Sequence, residues 1–218
     1  MSKGLFITFE GTEGGGKSTQ VKLFVEKLTA EGYNVVQTRE PGGTLISEKI
    51  RAILLDPENN LMDGMTEMLL YAASRAQHAV EVIKPALEQG KIVVCDRFID
   101  ASIAYQGYGM GLSIEKILLV NSLATGELVP NRTYMLDLPV EIGMQRIAEK
   151  RGHNEDLRAI GLDRIESKAI EYHRKVRSGF LQIANTQPER VTLIDATQDI
   201  GAIEQDIWKD FLQMENSL

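Results

Sequence analysis

The stretch FEGTEGGGKST, Phe9 to Thr19, concentrates the side chains with the clearest chemistry. Gly11, Gly16, Lys17 and Ser18 fit the spacing G-x-x-x-x-G-K-[ST]. In that pattern the backbone from Gly11 through Thr12, Glu13, Gly14, Gly15 and Gly16 to Thr19 wraps phosphate oxygens with N–H groups at a helix N-terminus. Lys17 reaches the terminal phosphates and Ser18 offers a ligand to Mg2+. Several glycines together mark a backbone that must approach something closely. Glu13 is the oddity, a carboxylate inside a loop that attracts anions.

Two more stretches place acidic and basic residues side by side. TREPGGT, Thr38 to Thr44, carries Arg39 and Glu40, and CDRF, Cys95 to Phe98, carries Asp96 and Arg97. Such mixed charge suits a phosphoryl acceptor with its own phosphate: arginines for the anion, carboxylates for Mg2+ and its water.

These groups need elements to hold them, and the hydrophobic pattern supplies them. Short apolar runs (LFITFE, NVVQT, KIVVCD, TYMLDL, VTLIDA) alternate with longer segments of helical period. Val21, Val25 and Leu28 share one helix face, as do Ile203, Ile207 and Phe211. Strand alternating with helix predicts an α/β fold, a parallel sheet with helices on both faces. Ligands in such sheets gather beyond the carboxyl ends of the strands. Glu10 to Lys17, Thr38 to Gly43, Asp96 with Arg97, and Asp137 all fall at expected strand ends.

Composition narrows the class. The chain has 218 residues, 43% of them hydrophobic, enough for one domain with a sizeable core. Its formal charge of −7 argues against a general binder of nucleic-acid polymers. No apolar run approaches the roughly 18 to 20 residues of a membrane span, and no signal-peptide pattern opens the chain, so a cytoplasmic protein without a membrane partner is expected. Cys95 is the sole cysteine and sits in a buried-strand pattern. His78, His153 and His173 have no metal-ligand spacing and receive no site. The guanine signature Asn-Lys-x-Asp is missing, and Thr12 stands where partition-type ATPases carry an extra lysine. A kinase for a small acceptor remains, beside an ATP-binding switch protein.

FEGTEGGGKST, TREPGGT, YAASRAQH, IKPAL, DRF, AYQG and LDRIE stand in an order and spacing that resembles the thymidylate kinases, of the bacterial kind, over about residues 4–195. The resemblance implies transfer from ATP, with Mg2+, to dTMP, on a P-loop nucleoside monophosphate kinase fold: a parallel five-stranded sheet, three layers and a mobile lid. It also implies a homodimer formed through helices. Another small-molecule kinase, for guanylate or a deoxynucleoside, is the neighbouring alternative.

Matched by position, the resemblance puts Glu13 at the acceptor's 3'-hydroxyl. Arg51 and Arg97 hold its 5'-phosphate with Arg39 nearby, and Asp96 and Glu40 orient Mg2+ and its water. Tyr71 stacks on thymine, where many relatives carry phenylalanine, and Arg75 addresses O4. Ser102 and Gln106 lie near the base, and Tyr105 lies under the deoxyribose. The lid corresponds to about residues 150–163 of a single domain, 1–218. Arg151 is its best-matched arginine, with Arg158 and Arg164 as weaker matches. Lys17, Arg97 and Arg151 then stabilise charge during transfer.

Overall fold

The computed structural model describes residues 4–152 and 163–217. Five strands, β1 (Leu5–Gly11), β2 (Val35–Arg39), β3 (Ile92–Asp96), β4 (Arg132–Asp137) and β5 (Val191–Asp195), form one sheet in the order β2-β3-β1-β4-β5, with every pairing parallel. The central strand β1 is buried along nearly its whole length, as a run apolar on both faces requires.

Alternation along β1 divides the core. Ile7 and Phe9 face one layer, where α1 (Lys17–Ala30) contributes Val21, Phe24 and Leu28 and the C-terminal helix contributes Ile203, Ile207 and Phe211. Phe6 joins the opposite layer with Val93, Cys95 and Phe98. Thr8, on that same face, meets Thr133 Oγ1 at 2.8 Å, within a buried network that Arg190 and Asp100 extend.

Between β2 and β3 run α2 (Leu45–Leu55) and α3 (Gly64–His78). From Gly64 to Glu88 the helix is one continuous stretch with a wider turn in it: π-helical geometry spans Ala79–Ile83 before α4 (Lys84–Glu88) resumes. Pro85 lacks the N–H that a regular turn would use there. After β3 come α5 (Ile99–Ser102), a second π-helical stretch Ile103–Gly109, and α6 (Ile114–Thr125). Further along, the described residues form α7 (Val140–Gly152), α8 (Ile170–Thr186) and α9 (Ile200–Glu215).

Register brings the strand ends together. Phe9 pairs with Asp96, Arg39 pairs with Asp96 from the other side, and Gly11 pairs with Leu136. The polar residues that follow each strand therefore emerge at one edge, with β1 between the two halves of the sheet, the crevice where such folds bind ligands.

Candidate active site

The phosphate loop joins β1 to α1. Gly11 has φ 133° and Gly16 φ 83°, and a β-carbon on Gly11 would collide with the Leu136 carbonyl oxygen, so neither position accepts a side chain without strain. No side chain caps α1 at Gly16, which leaves its first-turn N–H groups for an anion. Lys17 folds back over the loop and donates to Gly11 O at 3.1 Å and Thr12 O at 2.8 Å. Burial, with Arg97 adding repulsion, pushes its ammonium down to about 8. Ser18 Oγ donates to Asp96 Oδ2 at 2.9 Å. These two hard oxygen donors beside the loop suit Mg2+ held partly by nucleotide phosphates.

Arg97 sits with φ 73°, a conformation rare for a residue with a side chain. Its turn is pinned from several sides. Arg97 N donates to Phe9 O at 2.9 Å, and Glu10 Oε1 accepts from Phe98 N at 2.7 Å and Ala101 N at 3.2 Å. This aims the guanidinium over the loop, where it donates to Gly11 O at 2.9 Å and Glu13 Oε1 at 3.0 Å and lies 4.9 Å from the Tyr105 ring centroid. Tyr105 OH donates to the same Glu13 oxygen at 2.6 Å. Burial opposes charge on Glu13, but Arg97, His173 and Lys17 prevail and hold it well below the usual carboxylate range. Glu10 goes the other way: burial and the neighbouring Asp100 charge push it up to about 8, and Arg97 offsets only part of this.

Deeper in the cleft most of the polar groups are engaged with one another. Arg75 Nε donates to Glu40 Oε2 at 2.7 Å, Nη1 to Ser102 Oγ at 2.9 Å and Asn121 Oδ1 at 2.6 Å, and Nη2 to Phe98 O at 2.9 Å. Of its five N–H groups one remains, on Nη2. Gln106 Nε2 donates to Glu67 Oε1 at 2.8 Å, which leaves its carbonyl oxygen and its second amide N–H. Burial, reinforced by the Glu67 charge, pushes the Tyr71 phenol up.

Glu13, Lys17, Ser18, Arg39, Glu40, Arg51, Tyr71, Arg75, Asp96, Arg97, Ser102, Tyr105, Gln106 and Arg151 all line one cavity of about 600 Å³, a volume typical of small-molecule sites. The sequence had singled out each of them, Lys17 and Ser18 through the loop pattern and the rest through the charged strand ends or the resemblance. Arg39 Nη2 contacts both Glu48 oxygens at 3.1 and 3.2 Å, Arg51 Nη1 donates to Pro41 O at 2.9 Å, and Arg151 Nη2 pairs with Glu166 Oε2.

Glu40, expected to orient Mg2+ and its water, is tightly held at the cavity wall: Oε2 takes Arg75, Oε1 lies 2.9 Å from His78 Nδ1, and the residue is only 5% exposed. One expectation needs correcting. Arg164 is no lid arginine. It is buried, with Nε donating to Leu54 O at 2.8 Å and Nη2 paired with Glu67 Oε2 at 2.6 Å, and so ties the LDRIE turn to α2 and α3. His153, Arg158 and residues 153–162 of the expected lid lie outside the described residues. Sequence reasoning gave no role to Glu10, Glu67, His78, Asn121 or His173. Glu67 had a readable signal, since it stands four residues before Tyr71 and eight before Arg75 on one helix face. Among the described residues no three histidine, cysteine or acidic side chains converge as a metal site of their own.

Residues 9–207 match the family model described as thymidylate kinase. The chain is 51% identical to a thymidylate kinase of Exiguobacterium sibiricum, over 96% of this chain and 94% of that protein. It is 50% identical to one from Geotalea uraniireducens, over 92% and 93%. The crystal structure of thymidylate kinase from Ehrlichia chaffeensis aligns with a TM-score of 0.77 at 36% identity, covering 96% of this chain and 99% of that one.

Proposed function

The chain belongs to the thymidylate kinase family and carries out the ATP-dependent phosphorylation of dTMP; from that premise we propose how its residues divide the work. The phosphate loop holds ATP through its backbone N–H groups and Lys17. Arg51 and Arg97 take the acceptor's 5'-phosphate, and Arg39 adds positive charge beside them. Glu13 accepts from the 3'-hydroxyl and so measures the sugar from inside the donor's loop. Tyr71 stacks on thymine, the remaining Nη2 proton of Arg75 meets O4, and the Gln106 carbonyl oxygen accepts from the base N–H, with Ser102 beside Arg75. Tyr105 covers C2', leaving no room for a ribose hydroxyl.

Transfer then rests on position and charge, since phosphoryl transfer asks little covalent chemistry of the protein. Lys17, Arg97 and Arg151 offset the charge spread over the moving group, Arg151 from the start of a lid at about 150–163. Ser18 and Asp96 would hold Mg2+, which supplies further neutralisation of the ATP phosphates. The enzyme works as one domain, in the cytoplasm with its nucleotide substrates, and as a homodimer. The neighbouring helices α2, α3 and α6 expose Leu45, Ile53, Leu69, Leu119 and Leu123, an apolar face suited to a second copy.

The carrying observation is that Glu13, a residue of the donor's loop, shares hydrogen bonds with Arg97 and Tyr105 in the cavity that also contains Arg75 and Gln106. The test is acceptor selection with ATP and Mg2+. Wild type takes dTMP over its ribonucleotide, and Tyr105→Ala narrows that preference with little change in the KM for ATP. Unchanged discrimination would make Tyr105 a packing residue.

A further inference from the structure

The two oxygens of Glu13 have unlike surroundings. Oε1 receives Tyr105 OH and Arg97 Nη2. Oε2 is buried, has no hydrogen-bond partner among the described residues and lies 3.7 Å from His173 Nδ1. His173, on α8, is 1% exposed, and both of its ring nitrogens also lack hydrogen-bond partners among the described residues. Its ring packs edge-on against Tyr172 with centroids 5.4 Å apart. Glu13 lines the cavity and His173 does not, so the imidazole stands behind the carboxylate. Buried polar atoms are nearly always paired. A carboxylate oxygen and an imidazole this close, each without another partner, form an interaction that a small movement completes.

We propose that His173 is a positioning residue for Glu13, holding that carboxylate in place when Arg97 turns from it to the acceptor's phosphate. The proposal rests on the reading that Glu13 accepts from the 3'-hydroxyl and Arg97 binds the 5'-phosphate. In the structure Arg97 does both tasks' worth of contact, to Gly11 O and Glu13 Oε1. Binding a phosphate diverts some of those N–H groups, and Glu13 loses its closest cation just when its direction matters. An imidazole N–H moving by about 1 Å reaches the usual length of a charge-assisted hydrogen bond to Oε2 and takes over as anchor. The anchor acts from the far side of the carboxylate and does not compete with the sugar.

Steady-state kinetics with dTMP and with its 3'-deoxy analogue separate this role from packing. His173→Phe keeps a ring without a donor, and His173→Asn keeps a donor near the position of Nδ1. His173→Phe should raise the KM for dTMP about tenfold, with kcat and the KM for ATP nearly unchanged. The 3'-deoxy analogue, which lacks the hydroxyl, should lose nothing, and His173→Asn should recover most of the dTMP affinity. If His173→Phe folds poorly, His173→Met replaces it in the same comparison. Equal losses for both acceptors, no loss for either, or no recovery by asparagine overturns the proposal. Glu13→Gln is the reference: if it too leaves dTMP and the analogue equally affected, the reading of Glu13 itself fails. If it removes their difference and the His173 variants do not, only the proposal fails.

Discussion

The two ends of the cavity are built on opposite principles. At the base end Arg75, Glu40, Ser102, Asn121, Gln106 and Glu67 are buried and bonded to one another, with few polar groups left over. At the phosphate end the cations rest on partners they can exchange: Lys17 on two loop carbonyls, Arg51 on Pro41 O, Arg39 on the exposed Glu48, Arg151 on Glu166. A phosphate oxygen adds an ion–ion attraction that a loop carbonyl lacks, and solvent weakens the pairs with Glu48 and Glu166, so each of these cations can turn to a phosphate. A base is recognised by donors and acceptors that do not move. A phosphoryl group in transit needs cations that do.

The comparison breaks most visibly at Lys17. Lys17→Ala should abolish turnover while leaving the thermal midpoint close to wild type, since the lysine's structural partners are only loop carbonyls. Near-normal turnover in the purified variant would remove the phosphate loop from the mechanism. Next comes Arg151→Ala, expected to slow the chemical step in a single-turnover assay by about 10³ with dTMP binding little changed, the behaviour of an arginine supplied to a transferring phosphoryl group. Normal rates in that variant would place the charge elsewhere.

At the base end the cost should fall on the fold as well. Arg75→Ala leaves Glu40 buried without its cation and should lower stability by about 3 to 5 kcal/mol in denaturant unfolding, besides weakening dTMP. Arg51→Ala, by contrast, should raise the KM for dTMP about tenfold with unfolding unaltered. If the two variants proved equally stable, the distinction between a locked end and an exchangeable one would collapse.

The smallest effect concerns Glu10 beneath the Arg97 turn. Its carboxyl is pushed from 4.5 up to about 8 on folding. The native state therefore binds more protons than the unfolded chain between those values, and this group's contribution to stability, full below pH 4.5, is lost as the pH rises through about 8. Glu10→Gln keeps an acceptor for Phe98 N and cannot ionise, so the decline in melting temperature across that window should flatten. An unchanged slope would assign the decline to other groups.

Much of this arrangement was legible in order and type. The alternation of apolar runs and helical segments determined a parallel α/β sheet because strand and helix periods are local properties of the chain. The loop from Gly11 to Ser18 announced a triphosphate site because all its parts are contiguous. Tyr71 and Arg75 read as one face because four residues is about one helical turn. Resemblance extended this to Arg51, Arg97 and Tyr105, whose partners lie far away in sequence.

What no local pattern contains is which distant group meets which. Glu40 and Asp96 look alike as acidic residues beside an arginine at a strand end. Only the packing of α3 against β2 decides that Glu40 is consumed by Arg75 and His78 while Asp96 stays beside Ser18. Arg151 and Arg164 flank the same charged segment, yet one lines the cavity and the other is buried against Leu54 O and Glu67. By itself the sequence determined the fold, the loop and the identities of the charges. Tertiary structure alone decided which charges are locked and which are exchangeable, because burial and partner choice depend on contacts between segments up to a hundred or more residues apart.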